Sequence, residues 1–163
     1  MKQIIQILIF SIALVSCQTQ PDPVRFSEET LNDSFINTEG ASVSLKSILE
    51  INKGRTILID VWASWCRDCI VGLPNLRALQ TEYKDVAYVF LSMDKTQESW
   101  KNGIKKYEIV GEHYFMPSGW DSAFSDFVDL DWVPRYMVID TEGNIKLFRA
   151  IKVNDSKIKE HLK

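Results

Sequence analysis

Two kinds of hydrophobic pattern alternate along the chain. Thr56-Ile57-Leu58-Ile59-Asp60-Val61-Trp62 and the stretch Val86 to Met93 are nearly continuous apolar runs, as strands buried on both faces require. Between them, from about Cys66 to Tyr83, Leu73, Leu76, Leu79 and Tyr83 recur at helical spacing, and Pro74 is expected to kink that helix. Thr96 to Tyr107 predicts a second, amphipathic helix, with Trp100, Ile104 and Tyr107 on one face. Upstream, weak alternation over Leu31 to Leu45 around Glu39-Gly40 predicts a β-hairpin, and Lys46 to Glu50 a short helix. His113 to Asp131 is aromatic-rich without a period, so it is expected to be irregular apart from a short helix near Ser122 to Val128. Arg135 to Asp140 reads as a strand, Thr141-Glu142-Gly143-Asn144 as a turn, Ile145 to Ala150 as its hairpin partner, and Asn154 to Lys163 as a final helix. This order predicts one α/β domain with a mixed sheet covered on both faces.

The N-terminus follows a different logic. Lys2 precedes an apolar run from Ile4 to Val15 that Gln6 and Ser11 interrupt. The run is too short for a transmembrane span of about twenty apolar residues and has the polarity of a secretory signal. It ends Leu14-Val15-Ser16-Cys17, which resembles a bacterial lipobox. That resemblance implies cleavage after residue 16, lipidation of Cys17, a tether over 17–26 and a folded domain over 27–163. The protein is then expected in the cell envelope, on the periplasmic side, held to the membrane by lipid.

Composition adds exclusions. The chain is 45% hydrophobic with a net charge of −3, which argues against disorder and gives no electrostatic footprint for nucleic acid. It holds three cysteines. With Cys17 carrying lipid, Cys66 and Cys69 remain, spaced C-x-x-C where a buried strand turns into a helix. The first turn of a helix offers unpaired N–H groups and the positive end of the dipole, so a Cys66 thiolate is stabilised there. Arg67 adds to that effect and Asp68 opposes it. Cys69, one turn deeper, is expected to be more buried.

Chemistry follows from this asymmetry. Cys66 attacks a disulfide, and Cys69 resolves the mixed disulfide and leaves Cys66–Cys69 oxidised. Asp60, in an otherwise apolar strand, is desolvated and could accept the proton of Cys69, or could be satisfied by backbone with no proton role. A structural zinc site lacks ligands, since the only histidines, His113 and His161, lie far apart. A purely structural disulfide closing so short a loop contributes only about 2 kcal/mol. Trp100, Trp120, Phe115, Phe124 and Phe127 are expected in the core.

Asp60-Val61-Trp62-Ala63-Ser64-Trp65-Cys66-Arg67-Asp68-Cys69, followed by Pro74, resembles the active-site strand, loop and helix of the thioredoxin family. Trp132-Val133-Pro134-Arg135-Tyr136, running on to Ile145, resembles the family's cis-proline loop and following hairpin. With an N-terminal hairpin and an insertion before Pro134, the chain is similar to the extracytoplasmic TlpA/ResA branch from about Phe26 to Lys163. The resemblance implies a thioredoxin-like α/β fold with a central mixed β-sheet flanked by helices. It makes Cys66 the nucleophile, Cys69 the resolving thiol and Asp60 the buried proton acceptor, with Trp62 packed beneath the site. Trp65, Val133 and a cis Pro134 would bind substrate.

The implied activity is thiol:disulfide oxidoreduction, reducing disulfides of envelope proteins with electrons from a membrane thiol donor. No cofactor and no metal is called for. Two departures stand out. Where many ResA-like members carry a glutamate after the second cysteine this chain has Gly72, which weakens the case for cytochrome maturation, and the dipeptide Arg67-Asp68 lacks the family's frequent proline. Rival readings are a thiol peroxidase of the same fold, a non-catalytic thioredoxin-fold module of a surface complex, and a copper chaperone.

Overall fold

The computed structural model describes residues 21–162; the predicted leader and Cys17 lie outside them. Among the described residues, seven strands form one sheet in the order β2-β1-β5-β4-β3-β6-β7. They are β1 (Ser34–Asn37), β2 (Ser42–Ser44), β3 (Ile57–Trp62), β4 (Ala87–Ser92), β5 (Glu112–Phe115), β6 (Arg135–Ile139) and β7 (Ile145–Ala150). The helices are α1 (Glu28–Leu31), α2 (Leu45–Ile51), α3 (Arg67–Glu82), α4 (Gln97–Tyr107), α5 (Ala123–Phe127) and α6 (Ser156–His161).

β3, β4 and β5 run parallel, while β1 and β6 flank them antiparallel, so the sheet is mixed. Every residue of β3, β4 and β6 is buried, which is why β3 and β4 read as nearly continuous apolar runs rather than alternating ones. The crossovers β3-α3-β4 and β4-α4-β5 step the same way across the sheet, so right-handed connections put both helices on one face. Hydrogen bonds from Arg77 and Gln80 of α3 to the Tyr107 and Val110 carbonyls tie α3 to the end of α4. Lys159 of α6 pairs with Glu82 of α3 at 2.6 Å. α1 contacts both α2 and α5 elsewhere, where Phe26 and Phe35 each meet the Phe124 ring.

Three findings differ from the pattern reading. β5 occupies Glu112–Phe115, all but its first residue inside the segment expected to be irregular, and joins the N-terminal hairpin to the rest of the sheet. Its four residues include Glu112 and His113, and neither hydrophobic alternation nor β-branching marks it. α1 was not legible either; it is one turn, capped by Ser27 Oγ accepting from the Thr30 N–H. The packed body also begins before residue 27. Phe26 is buried against Phe124 and Phe127, and the Val24 carbonyl accepts from the Ile145 N–H at 2.9 Å. Pro74 lies within α3, which runs from Arg67 to Glu82.

Candidate active site

The carboxyl ends of parallel strands are where such sheets present chemistry, and β3 ends at the loop Ala63-Ser64-Trp65-Cys66. Asp94, itself buried, anchors that loop. Its carboxylate accepts from the Ser64 N–H at 3.0 Å, the Ser64 hydroxyl at 2.6 Å and the Ser92 hydroxyl at 2.9 Å. Gly103 of α4 lets the helix approach: a Cβ there would fall 2.5 Å from Ser64 Cβ and 3.3 Å from the tip of the Trp62 ring. Trp62 is buried, as expected, with that tip directed at α4.

Cys66 is the N-cap of α3, with extended backbone angles. Its sulfur accepts the Cys69 N–H at 3.1 Å, the position a capping side-chain oxygen normally fills. Negative charge on that sulfur meets an otherwise orphaned N–H and the positive end of the helix dipole. Cys66 and Cys69 are joined by a disulfide, with Cα atoms 5.3 Å apart. The two cysteines are equally buried, at 5% exposure each, so the expected contrast in depth is not found; Cys66 lies under a cover of its own.

That cover is the loop before β6. The Val133–Pro134 peptide bond is cis, and the Val133 carbonyl oxygen lies 3.5 Å from Cys66 Sγ. Asp60, two residues before the end of β3, is 5% exposed, and its Oδ1 has no hydrogen-bond partner among the described residues. Its cross-strand neighbours are Phe90 and Tyr136, which bring no charge to balance it. Burial alone pushes its carboxyl up to about 8. The Tyr136 hydroxyl is pushed up as well, first by burial and then by the Asp60 charge. It sits under α3, 3.6 Å from where a Gly72 Cβ would be.

The exposed surface around Cys66 is aromatic. Trp65 is 57% exposed and Trp132 62%. Trp120, expected in the core, is 43% exposed and reaches the same place. These three tryptophans, with Cys66, Arg67, Asp68, Asp131 and Val133, line a groove of about 410 Å³. Sequence reasoning missed the groove because its walls come from segments more than fifty positions apart. The available signal was the tryptophan directly before the Val-Pro pair. His113 is buried and stacked on Phe90 at 4.9 Å, with Nε2 held 3.0 Å from the Ile109 carbonyl. Among the described residues, no cluster of histidine, cysteine and carboxylate side chains is placed to hold a metal.

Comparison with known proteins agrees with this geometry. Residues 54–145 match the family of thioredoxin-like proteins. The thiol-disulfide oxidoreductase ResA of Bacillus thuringiensis subsp. konkukian is 26% identical over 149 residues, covering 89% of this chain and 81% of its own. A Bacteroides vulgatus protein assigned as a thiol-disulfide oxidoreductase has a solution structure that superposes with a TM-score of 0.65 at 34% identity, over 78% of this chain and 81% of that one. A thiol-disulfide oxidoreductase from Bacteroides fragilis gives a TM-score of 0.66 at 25% identity, over 80% and 98%. The chain therefore belongs to the thioredoxin-like family, as a thiol:disulfide oxidoreductase related to the ResA proteins.

Proposed function

We propose that the protein is a lipid-anchored reductase of disulfides in envelope proteins, with Cys66 as nucleophile and Cys69 as resolving thiol. In the reduced protein the Cys66 thiolate attacks one sulfur of a substrate disulfide. A Cys66–substrate S–S bond forms, the substrate's own S–S bond breaks, and one substrate thiolate leaves. Cys69 then loses its proton to the ionised form of Asp60, directly or through water, and its thiolate attacks Cys66 Sγ. The mixed disulfide breaks, the second substrate thiolate leaves and takes up a proton, and Cys66–Cys69 is left oxidised. Two electrons have passed from the dithiol to the substrate, and a membrane dithiol donor restores them.

The observation that carries this reading is the Cys66 sulfur at the N-cap of α3, accepting the Cys69 N–H beside the Val133 carbonyl. Asp60 supports it as a buried carboxyl raised to about 8, close to an ordinary thiol, so that its ionised form is a base matched to the Cys69 proton. Substrate backbone would pair along Val133 and Pro134, with Trp65 flanking. The leader over 1–16, lipidation of Cys17 and the tether that follows it rest on the sequence, as does the periplasmic side of the envelope. The branch resemblance favours reduction as the working direction.

An insulin-reduction assay tests the assignment. Cys66→Ser and Cys69→Ser should each abolish turnover, and only Cys69→Ser should accumulate a mixed disulfide detectable by mass. Undiminished turnover in either variant would remove the mechanism.

A further inference from the structure

Trp120 and Trp132 take no part in the exchange chemistry, yet both stand exposed beside the reactive sulfur. Three exposed tryptophans gathered on one groove beside a reactive sulfur are a candidate contact site, and the segments that carry Trp120 and Trp132 are held in shape. Arg135, fully buried behind the loop, donates to the Val128 carbonyl at 2.7 Å and to Asp131 Oδ1 at 2.8 Å. Asp129 adopts a left-handed φ of 46°, unusual for a residue with a side chain. Arg149 secures it there through its carbonyl at 3.0 Å and carboxylate at 3.1 Å. Trp132 therefore projects from a braced turn. Trp120 lies on Gly119–Asp121, whose start is fixed by the Ser125 hydroxyl donating to the Gly119 carbonyl at 2.8 Å. Just upstream, the Met116 N–H donates to the Ser92 carbonyl at the end of β4, at 3.0 Å.

We infer that Trp120 and Trp132 form a specificity pocket for an apolar side chain two residues from the disulfide-bonded cysteine of an extended peptide. This rests on the exchange reading above. The groove is continuous with Cys66, so whatever presents a disulfide to that sulfur covers it. In an extended chain, side chains two residues apart point to the same face; when the cysteine meets Cys66, that neighbour enters the groove. About 410 Å³ is the scale of a specific ligand site and holds one large side chain. Asp68 and Asp131 stand at the rim with Arg67, which leaves no surplus of positive charge to draw an acidic segment.

Single-turnover kinetics with the reduced protein test this. The probes are mixed disulfides of thionitrobenzoate with the peptides Leu-Gly-Cys, Cys-Gly-Leu and their serine counterparts. Cys66 attacks the peptide sulfur, the mixed S–S bond breaks, and the coloured thionitrobenzoate anion leaves. Burial of a leucine side chain predicts that one leucine peptide reacts about tenfold faster than its serine counterpart. Trp120→Ala and Trp132→Ala should each cut that ratio several-fold and together erase it. The leucine-to-serine ratio is read within each variant, so a general change in Cys66 reactivity cancels from it. A parent protein without the preference, or a preference that survives both substitutions, overturns the pocket. If the parent reacts with no disulfide at all, the exchange reading itself fails, and the pocket with it.

Discussion

Replacing Asp60 with asparagine removes the charge but keeps the shape, and the burial of this carboxyl fixes what should follow. In the folded, oxidised protein the carboxyl holds its proton up to about pH 8, whereas its ordinary value is 3.8. Between those two values unfolding releases a proton. The unfolded state binds fewer protons than the native one, so stability falls as pH rises, by roughly 1.4 kcal/mol per pH unit from this group. Below about pH 4 the penalty vanishes; above about pH 8 it is complete. Asp60→Asn cannot release that proton, while every other titrating group is shared with the parent.

The difference in unfolding free energy between variant and parent should therefore grow by about 3 kcal/mol from pH 5 to pH 7, in favour of the variant. A constant offset of either sign, from an amide buried where Oδ1 finds no partner, leaves that slope untouched. Guanidinium unfolding of the oxidised forms at both pH values measures it. Parallel stability curves, with a gap that stays within 0.5 kcal/mol (on the order of ordinary extrapolation error), would refute the reasoning and make Asp60 an ionised carboxylate.

The two helical glycines near the site should behave in opposite ways. Gly103→Ala drives a Cβ to 2.5 Å from Ser64 Cβ and should destabilise by about 2 kcal/mol in thermal or denaturant unfolding. Gly72→Ala places its Cβ in ordinary contact with Val153 and the Tyr136 hydroxyl and should stabilise by about 0.5–1 kcal/mol. Asp94→Ala strips the Ser64 amide, the Ser64 hydroxyl and the Ser92 hydroxyl of their shared acceptor. It should cost about 3 kcal/mol in urea unfolding, and faster proteolysis at the Ala63–Trp65 loop should accompany it. In the reduced protein, Asp60→Asn should slow resolution of the mixed disulfide at neutral pH without slowing its formation, which quenched-flow mass analysis separates.

Much of this molecule was legible because single segments carry it. Ile57–Trp62 and Ala87–Ser92 are buried on both faces, and such burial writes itself as continuous apolar sequence. The strand-to-helix turn ending in Cys66-Arg67-Asp68-Cys69 states its chemistry within ten residues. What escaped was set by partners distant in sequence. β5 is a strand because β4 and β1 offer edges on either side, not because Glu112-His113-Tyr114-Phe115 prefers one. A trace was present in Gly111, whose φ of 149° and approach to the Tyr88 carbonyl leave no room for a Cβ. Trp120 looks like a core residue until the turn at Gly119–Asp121 leaves it exposed on the groove that Trp132 also lines. Phe26 looks like tether until Phe124 and Phe127 meet it.

Everything assigned to the site depends on the acidity that the N-cap of α3 confers on one sulfur. Iodoacetamide alkylation of Cys66 in the reduced protein, followed against pH by peptide mass, measures this directly. The capping N–H and the helix dipole predict a half-titration point below about 7.5. A value near 8.5, about that of free cysteine, would contradict the account.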